Sequence, residues 1–276
     1  MWPRQRWVEV GGWVEVAESV FPMTLTSILH KASRLPTVAR DGWRYPVLRL
    51  QARGEQTAVE ALAGLGFDQE ALRGYERDFG ELAPSLYAQL AERARAGGDE
   101  LAASRAAAHS DSSAEGKKLL YVATRTTRPC AVVETGPYHG ASSAFLLRAL
   151  EDNGEGRLHS FDLPEARDAL GYPAGREPGW LVPDELRHRF DVTLGDTRDT
   201  LEPALARLGE IDFFFHDSLH SARHMLFEFR AAWPHLRSGG VLVSDDVFWN
   251  AAFLVFTRLH RVPFRHIGTM GVTRKR

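Results

Sequence analysis

Residues 130–140 read CAVVETGPYHG. An apolar run, an acid and a glycine-bearing turn make this a buried strand, Cys130–Glu134, closed by a tight turn, Thr135–Gly140. The chain then enters a helix, Ala141–Leu150. Strand and helix keep alternating downstream. Strand Arg157–Phe161 ends at Asp162, and strand Phe190–Leu194 ends near Gly195-Asp196. Helix Arg198–Leu208 leads to Ile211–His216 (IDFFFH), whose nearly continuous apolar run fits a parallel strand covered on both faces. Helix Ser221–Leu236, strand Val241–Asp245, helix Asn250–Leu259 and two short strands around Phe264–Ile267 and Met270–Thr273 complete the series. This alternation predicts an α/β fold with a doubly wound sheet.

Upstream the grammar differs. Helix Gly116–Arg125 feeds the first strand, and Ala108–Glu115 (AHSDSSAE) reads as a loop. Residues 55–108 are rich in Ala, Leu, Glu and Arg, with apolar residues at helical spacing (Ala61, Leu62, Leu65; Leu86, Leu90, Ala94). Asp68 caps a helix running to Phe79, and Ala96–Asp99 is a break. Residues 1–50 hold four of the seven tryptophans and no clear period, so these rings serve as core anchors or as a homodimer surface. The division expected is a mainly helical extension over 1–110 and a sheet domain over 111–276.

The 276 residues carry 34 Lys+Arg against 36 Asp+Glu, a net charge of -2 that excludes a strongly basic nucleic-acid binder. Residues 257–276 hold six basic residues and no acid, but the sparse aromatics there favour a solvated surface over a nucleic-acid groove. The single cysteine, Cys130, allows no intrachain disulfide, and its place at the head of a strand suggests an inert core thiol. No run of ~18 apolar residues could span a membrane, and the acids Glu9, Glu15 and Glu18 spoil a signal peptide. The expected setting is cytoplasmic.

Ligands of such sheets bind beyond the carboxyl ends of the strands. Each predicted strand end carries an acid: Glu134, Asp162, Asp196, Asp217 with His220, and Asp245-Asp246. Helix capping explains some of these acids but not readily the whole set. The spacing E-x-G-x-x-x-G over Glu134–Gly140 is neither a P-loop nor the dinucleotide G-x-G-x-x-G. Gly136 permits a tight turn against a ligand, and Gly140 lets the next helix pack on the strand. A carboxylate here disfavours a pyrophosphate and suits a cationic or amino-acid-like ligand. Asp162 is placed to accept from ribose hydroxyls. His216, His220 and His224 stand four apart, but without the Glu of H-E-x-x-H they do not make a zinc helix. His224 faces solvent or bonds helix carbonyls in this reading.

The runs VVETGPYHGASS (132–143), HSFDLP (159–164), GWLVPDELR (179–187), LGDTRD (194–199), FHDSLH (215–220) and GGVLVSDDV (239–247) resemble the class I S-adenosylmethionine-dependent methyltransferases. The likeness, covering about 111–276, is to the bacterial subgroup related to catechol O-methyltransferase and the cephamycin-type enzymes. It implies a Rossmann-like, mostly parallel sheet with an antiparallel last strand. It further implies Glu134, Gly136, Tyr138, Gly140 and Ser142 beside the methionine part of S-adenosylmethionine, Asp162 on the ribose and Asp196 by the adenine. Asp217, Asp245 and Asp246 match three positions that hold Mg2+ in the catechol-type enzymes, the third being asparagine there. His220, with Asp217 assigned to catalysis beside it, falls where those enzymes have a catalytic lysine.

The chemistry agrees with those residue types. Methyl transfer from a sulfonium is an in-line displacement that needs an oriented, nucleophilic acceptor. A hard divalent cation on carboxylates lowers a hydroxyl's pKa, and a histidine can take the proton. The expectation is a Mg2+-assisted O-methyltransferase acting on a small-molecule hydroxyl, of a sugar or secondary metabolite. The alternatives are a metal-independent N- or carboxyl-methyltransferase and, from another class, a nucleotide-binding oxidoreductase.

Overall fold

The computed structural model describes residue 54 and residues 57–107, 112–163 and 176–276. The tryptophan-rich stretch 1–50 lies outside the described residues. Seven strands form one sheet: β1 Ala131–Thr135, β2 Arg157–Asp162, β3 Phe190–Leu194, β4 Ile211–His216, β5 Leu236–Ser244, β6 Phe264–Ile267 and β7 Met270–Arg274. Their order is β3-β2-β1-β4-β5-β7-β6. Strands β1 to β5 pair in parallel, whereas β7 runs antiparallel to both β5 and β6. The expected Rossmann-like topology is thus observed, with the reversal at the last strand. The order turns back between β1 and β4, and that switch point is where a ligand crevice opens.

Period-two alternation decides which face each strand residue serves. Val132, Phe213, Phe215, Val241 and Val243 enter one apolar cluster, and Val133, Phe214 and Leu242 enter the other. All eight are wholly buried. Each such side chain contributes roughly 1.5–3 kcal/mol. The described helices are α1 Ala58–Ala63, α2 Gln69–Ala96, α3 Glu100–Ala107, α4 Ser112–Thr127, α5 Ala141–Asn153, α6 Thr197–Leu208, α7 Ala222–His235 and α8 Ala252–Leu259. Helices α1 to α5 supply the first cluster, through Leu62, Leu72, Phe79, Leu90, Tyr121 and Phe145 among others. Helices α6 to α8 supply the second, through Leu201, Phe229 and Phe256.

Several boundaries depart from the sequence expectation, each for a local reason. Helix α2 runs without a break across Pro84. Phe79, Ala83, Leu86, Leu90 and Ala94 keep one buried stripe through it, and that burial offsets the ~3 kcal/mol cost of an interior proline. Helix α4 begins at Ser112, inside the segment read as a loop, because Leu119 and Leu120 lie buried along its inner face. Strand β5 starts at Leu236, ahead of Gly239-Gly240. A Cβ on Gly240 would come within 2.8 Å of the Asp212 carbonyl oxygen, so glycine is what allows the strand to continue there.

Cys130 is corrected from core thiol to exposed residue. It precedes β1 at the sheet's lower edge, where Asp212 Oδ2 accepts from the Cys130 and Ala131 amides at 2.8 and 2.9 Å. Arg237 Nε donates to Asp212 Oδ1 and a second guanidinium nitrogen donates to the Thr127 carbonyl at 3.1 Å. No described helix is long and apolar enough to cross a membrane.

Candidate functional site

A cleft of about 740 Å³ opens at the β1–β4 switch point, lined by residues that include Gly136, Tyr138, Asp162, Asp196, Asp217 and His220. Glu134, Gly140, Ser142, Asp245 and Asp246 do not line it. The turn after β1 is shaped by two glycines. Gly136 has φ 79 and its amide donates to the Phe161 carbonyl at 2.8 Å. A Cβ there would stand 2.3 Å from the Asp217 carbonyl oxygen. Only glycine lets the β1 turn and the loop after β4 close on each other. Gly140, at φ 92, caps α5, and its missing Cβ admits Gly179 Cα. Tyr138 has φ 47 and stacks on His139 with centroids 3.8 Å apart.

Glu134 is wholly buried behind that turn. Its Oε2 accepts from Ser143 at 2.7 Å and from Ser160 at 2.6 Å. Oε1 is buried without a hydrogen-bond partner among the described residues. Burial raises the carboxyl pKa to about 7 against the lowering bonds of the two serines, with Asp162 adding repulsion. Ser142 makes none of these contacts; the neighbouring Ser143 does. Asp162, at the end of β2, is buried and its Oδ1 accepts from the Leu163 amide at 2.8 Å.

Asp196 is held differently. It caps α6, accepting from the Arg198 amide at 2.9 Å, and pairs with the Arg198 guanidinium. Those bonds hold its pKa down at about 2. Capping, the structural role weighed for the strand-end acids, therefore accounts for Asp196. It does not account for Asp245-Asp246: the helix that follows has Ala251 at its N-cap, and Asn250 Oδ1 accepts from the Ala252 amide at 2.8 Å.

Asp217 and His220 line another part of the cleft, with Asp245 and Asp246 close behind them. His220 Nε2 lies 3.7 Å from Asp217 Oδ1, and Nδ1 lies 3.8 Å from Asp246 Oδ2. Nε2 is buried and has no hydrogen-bond partner among the described residues. Desolvation, then the nearby His216, bring the His220 pKa down to about 4. Desolvation and the charges of Asp245, Glu134 and Asp246 push Asp217 well up. Burial and Asp245 raise Asp246, at φ 49, to about 7. Asp245 Oδ1 accepts from the Asp246 amide at 2.7 Å and from Thr269 at 2.9 Å. Three hard-oxygen donors that repel one another suit a divalent cation by chemistry. Yet among the described residues no three His, Cys, Asp or Glu side chains converge closely enough to hold a metal as they stand.

Sequence reading passed over Glu228. It is wholly buried on α7, and it bonds His224, which had been assigned to solvent or helix carbonyls, as well as His216. The available signal was its place on the apolar stripe Met225–Phe229–Ala232, where an acid needs partners.

A doubly wound sheet with its cleft at the switch point and acids at the strand ends makes a Rossmann-like fold. Residues 133–247 match a family model described as a methyltransferase domain, and every cleft residue named above falls inside that span. That match is to a methyltransferase domain and spans less than half of the 276 residues. Among solved structures it is similar to the O-methyltransferase from Bacillus cereus in complex with S-adenosylhomocysteine, at 18% identity over 74% of this chain and 100% of that one (TM-score 0.48). It is similar also to the O-methyltransferase TomG from Streptomyces achromogenes, involved in tomaymycin synthesis and bound to S-adenosylmethionine, at 19% over 69% and 90% (TM-score 0.46). A third is the S-adenosylhomocysteine-bound methyltransferase PaMTH1 from Podospora anserina, at 16% over 58% and 78% (TM-score 0.42). No curated protein matches the chain.

Proposed function

We propose that this protein is an O-methyltransferase that moves the methyl group of S-adenosylmethionine to a hydroxyl of a small molecule, such as a sugar or secondary metabolite. The observation that carries this reading is the two-sided cleft. Gly136, Tyr138 and Asp162 line one part, and Asp217 and His220 line another.

S-adenosylmethionine supplies the electrophilic methyl when bound. The residues of this chain do the rest. Glu134 places a carboxyl behind the Gly136 turn, suited to the cationic methionine end. Asp162 offers acceptors to ribose hydroxyls, and Asp196 flanks the adenine. Gly136, with no Cβ, lets the ligand approach the backbone. His220, whose Nε2 has no hydrogen-bond partner among the described residues, is the group that would take the acceptor's proton. The cleft walls hold the acceptor oxygen in line, which is worth several kcal/mol of barrier. By ligand type, the residues that would hold a divalent cation such as Mg2+ are Asp217, Asp245 and Asp246, and such an ion would acidify the hydroxyl. The N-terminal extension over residues 1–110 takes the role of lid, acceptor-selecting part or dimer surface.

Calorimetric titration of S-adenosylhomocysteine into the full chain tests the cofactor half. Saturable binding is expected, and none at millimolar ligand overturns the reading. Transfer of labelled methyl from S-adenosylmethionine to a panel of sugars and phenols, with and without EDTA, tests the acceptor half and the metal. The separated carboxylates favour one second reading, metal-independent transfer resting on His220. Activity that survives EDTA, with Asp245→Ala close to wild type, would select it.

A further inference from the structure

One carboxylate ties together the segments that build both halves of the cleft. Glu228 Oε1 accepts from Thr197 Oγ1 at 2.8 Å and from His224 Nε2 at 2.8 Å. Its Oε2 accepts from Thr135 Oγ1 and His216 Nδ1, each at 2.6 Å. Ser218 Oγ donates to both oxygens, at 3.0 and 3.1 Å. Five donors on two oxygens fill the lone pairs of a carboxylate.

The address of each donor matters more than their number. Thr135 ends β1 and precedes Gly136. Thr197 follows Asp196 at the start of α6. His216 ends β4 and Ser218 follows Asp217. His224 stands on α7 and lines the cleft together with Thr197 and Ser218. The His216 ring stands edge-on to His220, with centroids 5.3 Å apart and planes at 83°. Gly136, Asp196, Asp217 and His220 are thus each within a residue or two of a Glu228 donor. A buried carboxylate is costly unless satisfied. A lone core acid of no consequence would be replaced by an apolar residue at no loss. Burial raises the Glu228 carboxyl, and His216 and His224, by charge and hydrogen bond, outweigh it and hold it well below the usual range.

Resting on the methyltransferase reading of this cleft, we propose that Glu228 is a positioning residue. It locks the ends of β1 and β4 and the start of α6 in the one register in which the cofactor and acceptor halves meet. It touches neither ligand and acts through Thr135, Thr197, Ser218 and His216.

The probe is S-adenosylhomocysteine, titrated calorimetrically into the full chain as wild type, Glu228→Gln, Thr135→Val, Thr135→Ser and a remote core control, Phe256→Leu. Thermal midpoints without ligand are measured beside each titration. Removing a residue that orients a site from behind typically costs about 10–100-fold. Glu228→Gln is therefore expected to weaken binding at least about tenfold. Phe256→Leu is expected to keep wild-type affinity even where its midpoint falls as far. Thr135→Val, isosteric but without its donor, is expected to follow Glu228→Gln, and Thr135→Ser to restore binding. Should Glu228→Gln fail to fold, the Thr135 pair carries the test alone. Affinity unchanged in Glu228→Gln or Thr135→Val, or lost no more than in a control of equal stability, overturns the proposal. Absence of binding by the wild type overturns the cofactor reading instead, which keeps the two failures apart.

Discussion

Glu134 shows how one buried side chain can make ligand binding depend on pH. Its carboxyl has a pKa raised from 4.5 to about 7, so the folded protein holds a proton that the unfolded chain has released. Folding stability from this group is present below pH 4.5 and is lost as pH rises toward 7. Glu134→Gln is therefore expected to flatten the denaturation midpoint across that window and to raise it relative to wild type at pH 8. Ligand affinity should run the other way. The amino group of S-adenosylhomocysteine is cationic and prefers the ionised form. Wild-type affinity should weaken as pH falls from 8 to 6, and Glu134→Gln should lose that slope. A wild-type titration flat over the same range would remove Glu134 from the binding role.

His220 carries the second prediction at this scale. It stands between Asp217 and Asp246, and its buried Nε2 has no hydrogen-bond partner among the described residues. His220→Ala should lower methyl transfer by about 10²–10⁴-fold while the dissociation constant for S-adenosylhomocysteine stays within about threefold. Full activity in the variant would move the proton-accepting role elsewhere.

At the scale of elements, the turn after β1 makes the clearest claim. The closest atom to a Cβ on Gly136 would be a backbone oxygen 2.3 Å away, and no flexible side chain can yield there. Positive φ adds roughly 1–2 kcal/mol for any L residue. Gly136→Ala is expected to lower the thermal midpoint by several degrees and to abolish measurable S-adenosylhomocysteine binding. Binding retained at wild-type strength would show that the two loops can part.

The same elements show what could be read in advance. Strand β4 was legible because Phe213, Phe214 and Phe215 leave no polar face, as only a strand covered on both sides requires. Asp162, Asp196 and Asp217 were legible as cleft residues because topology puts strand ends at the crevice, whereas Glu134, Asp245 and Asp246 do not line it. Ser143 and Ser160 were not legible as partners of Glu134. The bond to Ser160 depends on β1 and β2 aligning Glu134 with Ser160, a register no local pattern records. Glu228 was hidden for a similar reason: apart from His224 on its own helix, its partners come from three segments that only the completed sheet brings together. Cys130 misled because an apolar-looking first residue says nothing of where the pairing starts.

Across the whole molecule, ligand and fold should be linked. Helices α1 to α5 close one face of the sheet and α6 to α8 the other, and the cleft lies at the seam of β1 and β4. A ligand bound only by the folded chain adds about 2.7 kcal/mol at a hundredfold excess over its dissociation constant. For a protein of this size the thermal midpoint should rise by about 5–10 °C with S-adenosylhomocysteine. Adenosine alone should give a smaller rise if, as proposed, the methionine end of the ligand lies toward Glu134. Equal shifts from the two would deny that end a share in binding.

The two rims of the sheet are fastened by separate sets of bonds. The lower one is riveted: Asp212 grips two amides of the segment entering β1, Arg237 joins Asp212 to the end of α4, and Lys275 donates to the carbonyls of Trp233 and Leu236. None of these groups lines the cleft. Changes in the loop at 217–221 should therefore reshape the cleft while the frame below keeps the strands in register. Asp212→Ala should behave as the mirror image of a loop exchange, costing the molecule its endurance to heat and leaving its taste in ligands as it was.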